Sequence, residues 1–338
     1  MKKKRKFLLF SFYTIFIVFL KIRFSNNLFA NFNKKNQTAV LTHKIVLRHL
    51  ISKNHPEKSE RIIELIRLLN ERKLGSLIHE INLATKAKNW IKTIHSTFHI
   101  NSLNIKYPVG EESSITAVKG CIHGIDKIMN NECKNVFCAV RPPGHHALNT
   151  GKHEGFCYYN HIAISAKYIQ KKYKLKKILI IDWDYHHGNS TELFFYDDPS
   201  VLFFSTHDEN AYPRTGSPER IGSGKGKGYN VNIHLPCGTN DNEIVDIYKK
   251  ILVKKANFFE PEFILISAGF DSRKDDPLGC FKISDKGFKK LTTIALEIAE
   301  KHCSGRLLSI LEGGYNIEGN AKGAVKHIET LNNFNKII

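Results

Sequence analysis

The chain has 338 residues, 42% of them hydrophobic and 25% charged, with a net charge of +19. This is the composition of an ordinary globular protein, and the length suits one large α/β domain or two smaller ones. The charge invites a nucleic-acid or acidic-membrane partner. However, the lysines are spread along the whole chain and no nucleic-acid motif accompanies them, so a solvated basic surface is the reading adopted.

Met1 to Lys6 form a basic segment, and Phe7 to Leu20 an apolar run. The run is shorter than the ~17–25 residues of a comfortable membrane span. It reads as a secretory h-region or a weak signal anchor, giving membrane association through residues 7–20; the alternative is an inert extension. Leu28 and Phe29 make Ala30 a poor cleavage point. Residues 1–37 are therefore set apart, with a catalytic domain expected over 38–330 and a tail over 331–338.

The domain is expected to open with a strand at 38–43. A helix follows, with Pro56 and the acids after it in the first turn and Ile62, Ile63, Leu65, Ile66 and Leu69 at helical spacing. A second helix is expected over 84–97, packing through Trp90, Ile91 and Ile94, and a third over 114–129. The apolar strand 135–140 stops at Pro142-Pro143-Gly144, a stiff turn that presents His145 and His146. After the helix 162–169, the buried strand 177–181 runs into Asp182-Trp183-Asp184-Tyr185-His186-His187-Gly188. A strand at 201–205 leads to a long glycine-rich loop, 207–228, outside any dinucleotide-binding context. Strand 263–267 ends near Asp271. Helix 288–299 precedes strand 306–311, which ends in Glu312-Gly313-Gly314-Tyr315.

Strand–helix alternation implies a parallel sheet, and parallel strands deliver their C-terminal ends to one edge. Four polar strand ends therefore converge. Asp184 and His186 are two apart and share a side of an extended chain; His187 points the other way. With Asp271 they would give a metal one nitrogen and two carboxylates, leaving a position open as catalytic zinc requires. Fe(II) or Mn(II) suits the same donors. His145 and His146 are placed to take a proton from water and return it to a leaving amine, and Tyr315 to donate to an oxyanion. Together these parts describe metal-assisted hydrolysis of an amide.

The sequence resembles the histone deacetylase superfamily, which includes acetoin-utilisation proteins and acetylpolyamine amidohydrolases. The resemblance covers roughly 38–330. It rests on RPPGHHA (141–147), GFCYYNHIAI (155–164), DWDYHHGN (182–189), SAGFD (267–271), DPLG (276–279) and LEGGY (311–315). It implies a three-layer arginase/deacetylase-like α/β fold with a central, mainly parallel sheet. It implies zinc on Asp184, His186 and Asp271, with Asp182 and Asn189 orienting His145 and His146, and Tyr315 as the catalytic tyrosine. Asn rather than Asp at 189 matches the class II-like branch. Gly155, Phe156, Tyr212, Leu278 and Gly314 fall at substrate-binding positions, Phe156 and Tyr212 as walls of an acyl-lysine tunnel. A potassium site would use the Asp182 and Ser205 side chains and main-chain oxygens of Asp184, His186 and Thr206.

The implied substrate is an acetylated protein, with a small acylated amine such as an acetylpolyamine as the rival. Leu278 stands where polyamine deacetylases carry an acid, which argues for acyl-lysine. A catalytically silent binding protein of the same fold is the reading from a different class; the intact metal triad, both histidines and Tyr315 argue against it. Ser190, Glu192 and Cys280 depart from the usual pattern, and 103–112 lacks the acidic rim expected at the pocket mouth. The seven cysteines are scattered, odd in number and never spaced CxxC, so free buried thiols and a cytoplasmic domain are expected. The basic N-terminus would instead send the domain across a membrane.

Overall fold

A computed structural model describes residues 37–334, one compact unit beginning at Gln37. The strands in chain order are β1 (Thr38–Thr42), β2 (Ile78–Glu80), β3 (Asn135–Cys138), β4 (Ile178–Asp182), β5 (Val201–His207), β6 (Asn230–His234), β7 (Phe263–Ala268) and β8 (Leu307–Leu311). The helices are α1 (Glu60–Glu71), α2 (Lys88–Ile91), α3 (Thr97–Lys106), α4 (Pro108–Met129), α5 (His161–Tyr173), α6 (Asn189–Phe195), α7 (Asp241–Ile247), α8 (Val253–Phe259), α9 (Asp285–Cys303) and α10 (Ile317–Asn333). The strands form one all-parallel sheet in the order β2-β1-β3-β8-β7-β4-β5-β6.

Both faces of the sheet are covered, which is why its central strands read as unbroken apolar runs. In β4, Leu179 and Ile181 join one core with residues of α1, α9 and α10, while Ile178 and Ile180 join a second core with residues of α4 and α5. This is the three-layer α/β architecture expected from the resemblance.

Local expectations fail where tertiary contacts override local pattern. Pro56 lies before the first helix, which starts only at Glu60, because Glu57 is drawn into a buried ion cluster with Arg61 and Arg141. The helix expected over 84–97 is reduced to α2; Ser96 instead caps α3 by accepting the His99 N–H. Residues 103–112 are helical in α3 and α4, with only Tyr107 between them, so no rim loop exists there. β2 and β6 escaped the sequence reading because edge strands need no apolar run. Helix α10 runs to Asn333, past the boundary expected at 330.

The expectation of free thiols throughout is also corrected. Cys237 and Cys280, 43 residues apart, form a disulfide, while Cys121, Cys133, Cys138, Cys157 and Cys303 are free and buried. A contact so distant in sequence leaves no spacing signature. The N-terminal segment read as a signal or anchor lies outside the described residues. Among the described residues, no helix is long and apolar enough to cross a membrane.

Candidate active site

The four strands that end in chemistry-bearing residues are consecutive in the sheet: β3, β8, β7 and β4. Their C-terminal ends bring Asp184, His186 and Asp271 together, with one ligand-type atom from each lying within 4.8 Å of the others. His186 Nδ1 is 3.1 Å from Asp184 Oδ1 and 3.0 Å from Asp271 Oδ2. Backbone amides aim the acids: Gly313 N–H donates to Asp184 Oδ2 (2.8 Å) and Tyr185 N–H to Asp271 Oδ1 (2.9 Å).

These donors fit a resident divalent metal. Two fully buried carboxylates face each other with only an imidazole between them. Burial and the charge of Asp184 push the Asp271 carboxyl up to about 7. Burial alone would depress His186, yet the two acids hold it up at about 10. A pair of buried acids calls for a cation, and one nitrogen with carboxylate oxygens suits zinc or Fe(II).

His145 Nδ1 lies 3.0 Å from Asp182 Oδ2, and His145 Nε2 lies 3.8 Å from Asp184 Oδ2. Burial works against its charge, but Asp184, Asp182 and Glu312 prevail and raise its pKa well above the usual histidine value. His146 behaves oppositely: burial, then the neighbouring His145 and His186, lower it well below that value. Its Nδ1 is 2.7 Å from the Asn189 side-chain oxygen, an acceptor, which fixes the proton on Nδ1 and leaves Nε2 unprotonated. The two adjacent histidines are thus tuned apart by their partners.

Tyr315 is buried, and burial, then Asp271, raises its phenol well above the ordinary tyrosine range against the pull of Arg61. Its backbone is gripped by Asp276, which accepts the N–H groups of Tyr315 (2.6 Å) and Asn316 (3.1 Å). Arg61 lies under the ring, 5.0 Å from its centroid, and donates through Nε to Gly314 O at 2.6 Å. Gly314, expected to touch substrate, gives its carbonyl to Arg61.

A cavity of about 680 Å³ opens onto this cluster. Gly155, Phe156, Tyr212 and Leu278, all expected at the substrate, line it with His146, His186 and Tyr315. Phe156 stands edge-on to Tyr315 (5.8 Å between ring centroids) and Tyr212 edge-on to His146 (5.0 Å). Phe156 takes a left-handed backbone (φ 68°), a conformation that is strained for a non-glycine residue. At the mouth Tyr212 and Leu278 are about half exposed (48% and 40%). The cavity wall also includes Asp208, which accepts the Tyr185 hydroxyl (2.9 Å).

Asp182 and Ser205, expected at a potassium ion, are register partners on β4 and β5, while the Ser205 hydroxyl pairs with His207 Nδ1 at 2.9 Å. The Thr206 and Tyr248 hydroxyls share a hydrogen bond at 3.3 Å. His187 lies away from the cluster, bonded through Nδ1 to the Thr215 hydroxyl at 2.8 Å. Sequence reasoning missed Arg61, Glu57 and Asp276 as supports. The i,i+4 spacing of Glu57 and Arg61 was an available signal for the first two.

Residues 55–331 match the histone deacetylase domain family. The chain is 37% identical over 297 residues to a probable deacetylase of Archaeoglobus fulgidus, covering 83% of this chain and 82% of that one. It is 32% identical over 296 residues to the chloroplastic histone deacetylase 14 of Arabidopsis thaliana, covering 78% and 70%. The crystal structure of the HDA15 HD domain superposes with a TM-score of 0.82 at 31% identity, covering 88% of each chain. With this fold, these strand ends and these relatives, the chain belongs to the histone deacetylase family and is a hydrolytic deacetylase.

Proposed function

We propose that the protein is a zinc-dependent amidohydrolase that removes acetyl groups from lysine side chains of proteins. The observation that carries this reading is the cavity: Phe156, Tyr212 and Leu278 make an apolar passage ending at His186, His146 and Tyr315. Such a passage suits an unbranched aliphatic stem, and the neutral Leu278 at its mouth offers no charge to a distal ammonium.

Zinc held by Asp184, His186 and Asp271 would polarise the acyl carbonyl and make water a nucleophile near neutral pH. Neutral His146, its Nδ1–H held by Asn189, accepts the proton of the attacking water at Nε2 and later delivers it to the leaving amine. The protonated Tyr315 phenol donates to the developing oxyanion. Charged His145, oriented by Asp182, adds a fixed positive charge beside the reacting centre. A potassium ion at Asp182, Ser205 and Thr206 is part of the proposal, supported by the pairing of β4 with β5 at that level.

A small acylated amine is the second reading, supported by the Asp208 carboxylate in the cavity wall. The cytoplasm is the proposed compartment, supported by five buried free thiols against the one Cys237–Cys280 disulfide, and fractionation with and without residues 1–37 tests it.

Purified, zinc-loaded protein is expected to release acetate from acetyl-lysine peptides faster than from acetylspermidine or acetylputrescine, and Tyr315→Phe or Asp184→Asn to abolish turnover. The reverse substrate order supports the small-amine reading. No turnover of any acylated amine by the metal-loaded wild type sinks both.

A further inference from the structure

Glu312 is fully buried at the site, and apart from its charge acting on His145 the chemistry above gives it no task. Its Oε2 accepts the backbone N–H of Gly144 at 2.6 Å and that of His145 at 3.2 Å. Those amides follow the Pro-Pro turn beyond the end of β3, where the sheet ladder has stopped. A buried amide without an acceptor is costly, and a carboxyl oxygen is a strong acceptor for it.

The backbone of Glu312 belongs to the opposite part of the site. Its carbonyl accepts the Arg61 guanidinium, which also binds Gly314 O and lies under the Tyr315 ring. The next residue, Gly313, donates its N–H to the metal-type ligand Asp184. One residue thus joins the loop of His145 and His146 to the turn of Tyr315 and to β4. The loop is held further by the Ser190 hydroxyl, which donates to the His145 carbonyl at 2.8 Å, and by the ring bonds of His145 to Asp182 and of His146 to Asn189. A bond at each side of His145 leaves the loop little freedom to rotate the His146 ring against the cavity.

We propose that Glu312 is a positioning residue that sets the spacing between the base His146 and the oxyanion donor Tyr315. It does so by clamping the tandem-histidine loop to the Gly-Gly-Tyr turn. This rests on the deacetylase reading of the site. Its part in that spacing is geometric, through side-chain reach and an acceptor oxygen, and needs no negative charge.

Three substitutions separate reach from charge. Glu312→Gln keeps the length and one acceptor oxygen but loses the charge. Glu312→Asp keeps the charge but withdraws the carboxylate by a methylene, and Glu312→Leu removes both acceptors. With metal content and melting temperature recorded for each, Gln should keep kcat within about threefold of wild type while Asp and Leu lose about 30-fold or more, since a misplacement of ~1 Å near the chemistry can cost ~10²-fold. KM should stay near the wild-type value in all three, because Phe156, Tyr212 and Leu278, which form the apolar passage, are not contacted by Glu312.

Hydrogen exchange of the peptide containing Gly144 and His145 gives a readout independent of turnover. It should accelerate in Asp and Leu and not in Gln. Asp matching wild type while Gln fails, or unchanged exchange in both Asp and Leu, overturns the proposal. Should Leu not fold, the Gln–Asp comparison decides alone. A wild type without turnover would defeat the functional reading, and the exchange measurement would still judge the clamp.

Discussion

A Cβ on Gly155 would stand 2.7 Å from Cγ of His146 and overlap its Cδ2, so the cavity wall at Gly155 and the His146 ring are in direct van der Waals contact. Gly155 also has φ 52°, a left-handed conformation that disfavours alanine independently of space. Gly155→Ala is expected to push the ring off its Asn189 partner and lower kcat by about 10²-fold. Zinc content should be unchanged, because the ligand residues lie in the segments that follow β4 and β7. Steady-state kinetics with metal analysis checks this; wild-type kcat in the variant would contradict it.

Gly313 is confined in the same way against the metal ligands. A Cβ there would overlap Asp271 Oδ2 and lie 2.7 Å from Asp184 Oδ2. Gly313→Ala should weaken zinc affinity by about 10–100-fold, the scale seen when groups supporting metal ligands are disturbed. Competition with a chromogenic chelator measures it on the folded protein, without an activity assay.

Glu57 is a stability hinge. It accepts Arg141 Nε at 2.8 Å and Nη2 at 2.7 Å, with Arg61 Nη1 at 3.3 Å, all of them fully buried. Burial would raise its pKa, but His49 and the two guanidiniums hold it far below the usual carboxylate range. Glu57→Gln leaves two buried cations uncompensated and should cost about 3–5 kcal/mol in urea unfolding. A shift under about 1 kcal/mol would mean that water or neighbouring carbonyls satisfy both arginines.

His327 carries a pH dependence whose sign follows from its burial. Packed between Thr292 (2.7 Å) and Ser309 (2.9 Å), it is lowered by burial to about 3. The unfolded chain takes up that proton near its ordinary value, about 6.5, and the folded chain does not until about 3. The stability owed to His327 is therefore full above pH 6.5 and lost as pH falls towards 3. The advantage of wild type over His327→Gln should shrink by about 1.4 kcal/mol per pH unit below 6.5. Urea midpoints of both proteins at pH 7.5, 6 and 5 test it; a constant difference would be inconsistent.

The apolar strands and the polar residues at their ends were legible in the sequence, because a buried parallel strand must be apolar and its end is where a loop can carry function. Asp184 and His186 were readable as a pair from spacing alone, and the tunnel walls Phe156 and Tyr212 through resemblance. What was not legible depended on contacts across the fold. The 84–97 pattern broke because Ser96 begins a new helix. Glu57, next to Pro56, lies outside the helix and is bound in a buried ion pair to Arg141, 84 residues further on. The bond from Arg61, in the first helix, to the Gly314 carbonyl likewise joins residues far apart in the chain.

By itself the sequence determined which residues had to be buried, which strand ends carried chemistry and which motifs belonged to one family. Only the tertiary structure decided their neighbours. The strands of the site are third, fourth, seventh and eighth in the chain, but lie side by side as β3, β8, β7 and β4. Because parallel strands can be joined in any order by crossovers, adjacency is settled by packing of the helical layers and not by order along the chain. That order sets Glu312 beside the tandem histidines, Asp271 beside Asp184 and Tyr315 over Arg61.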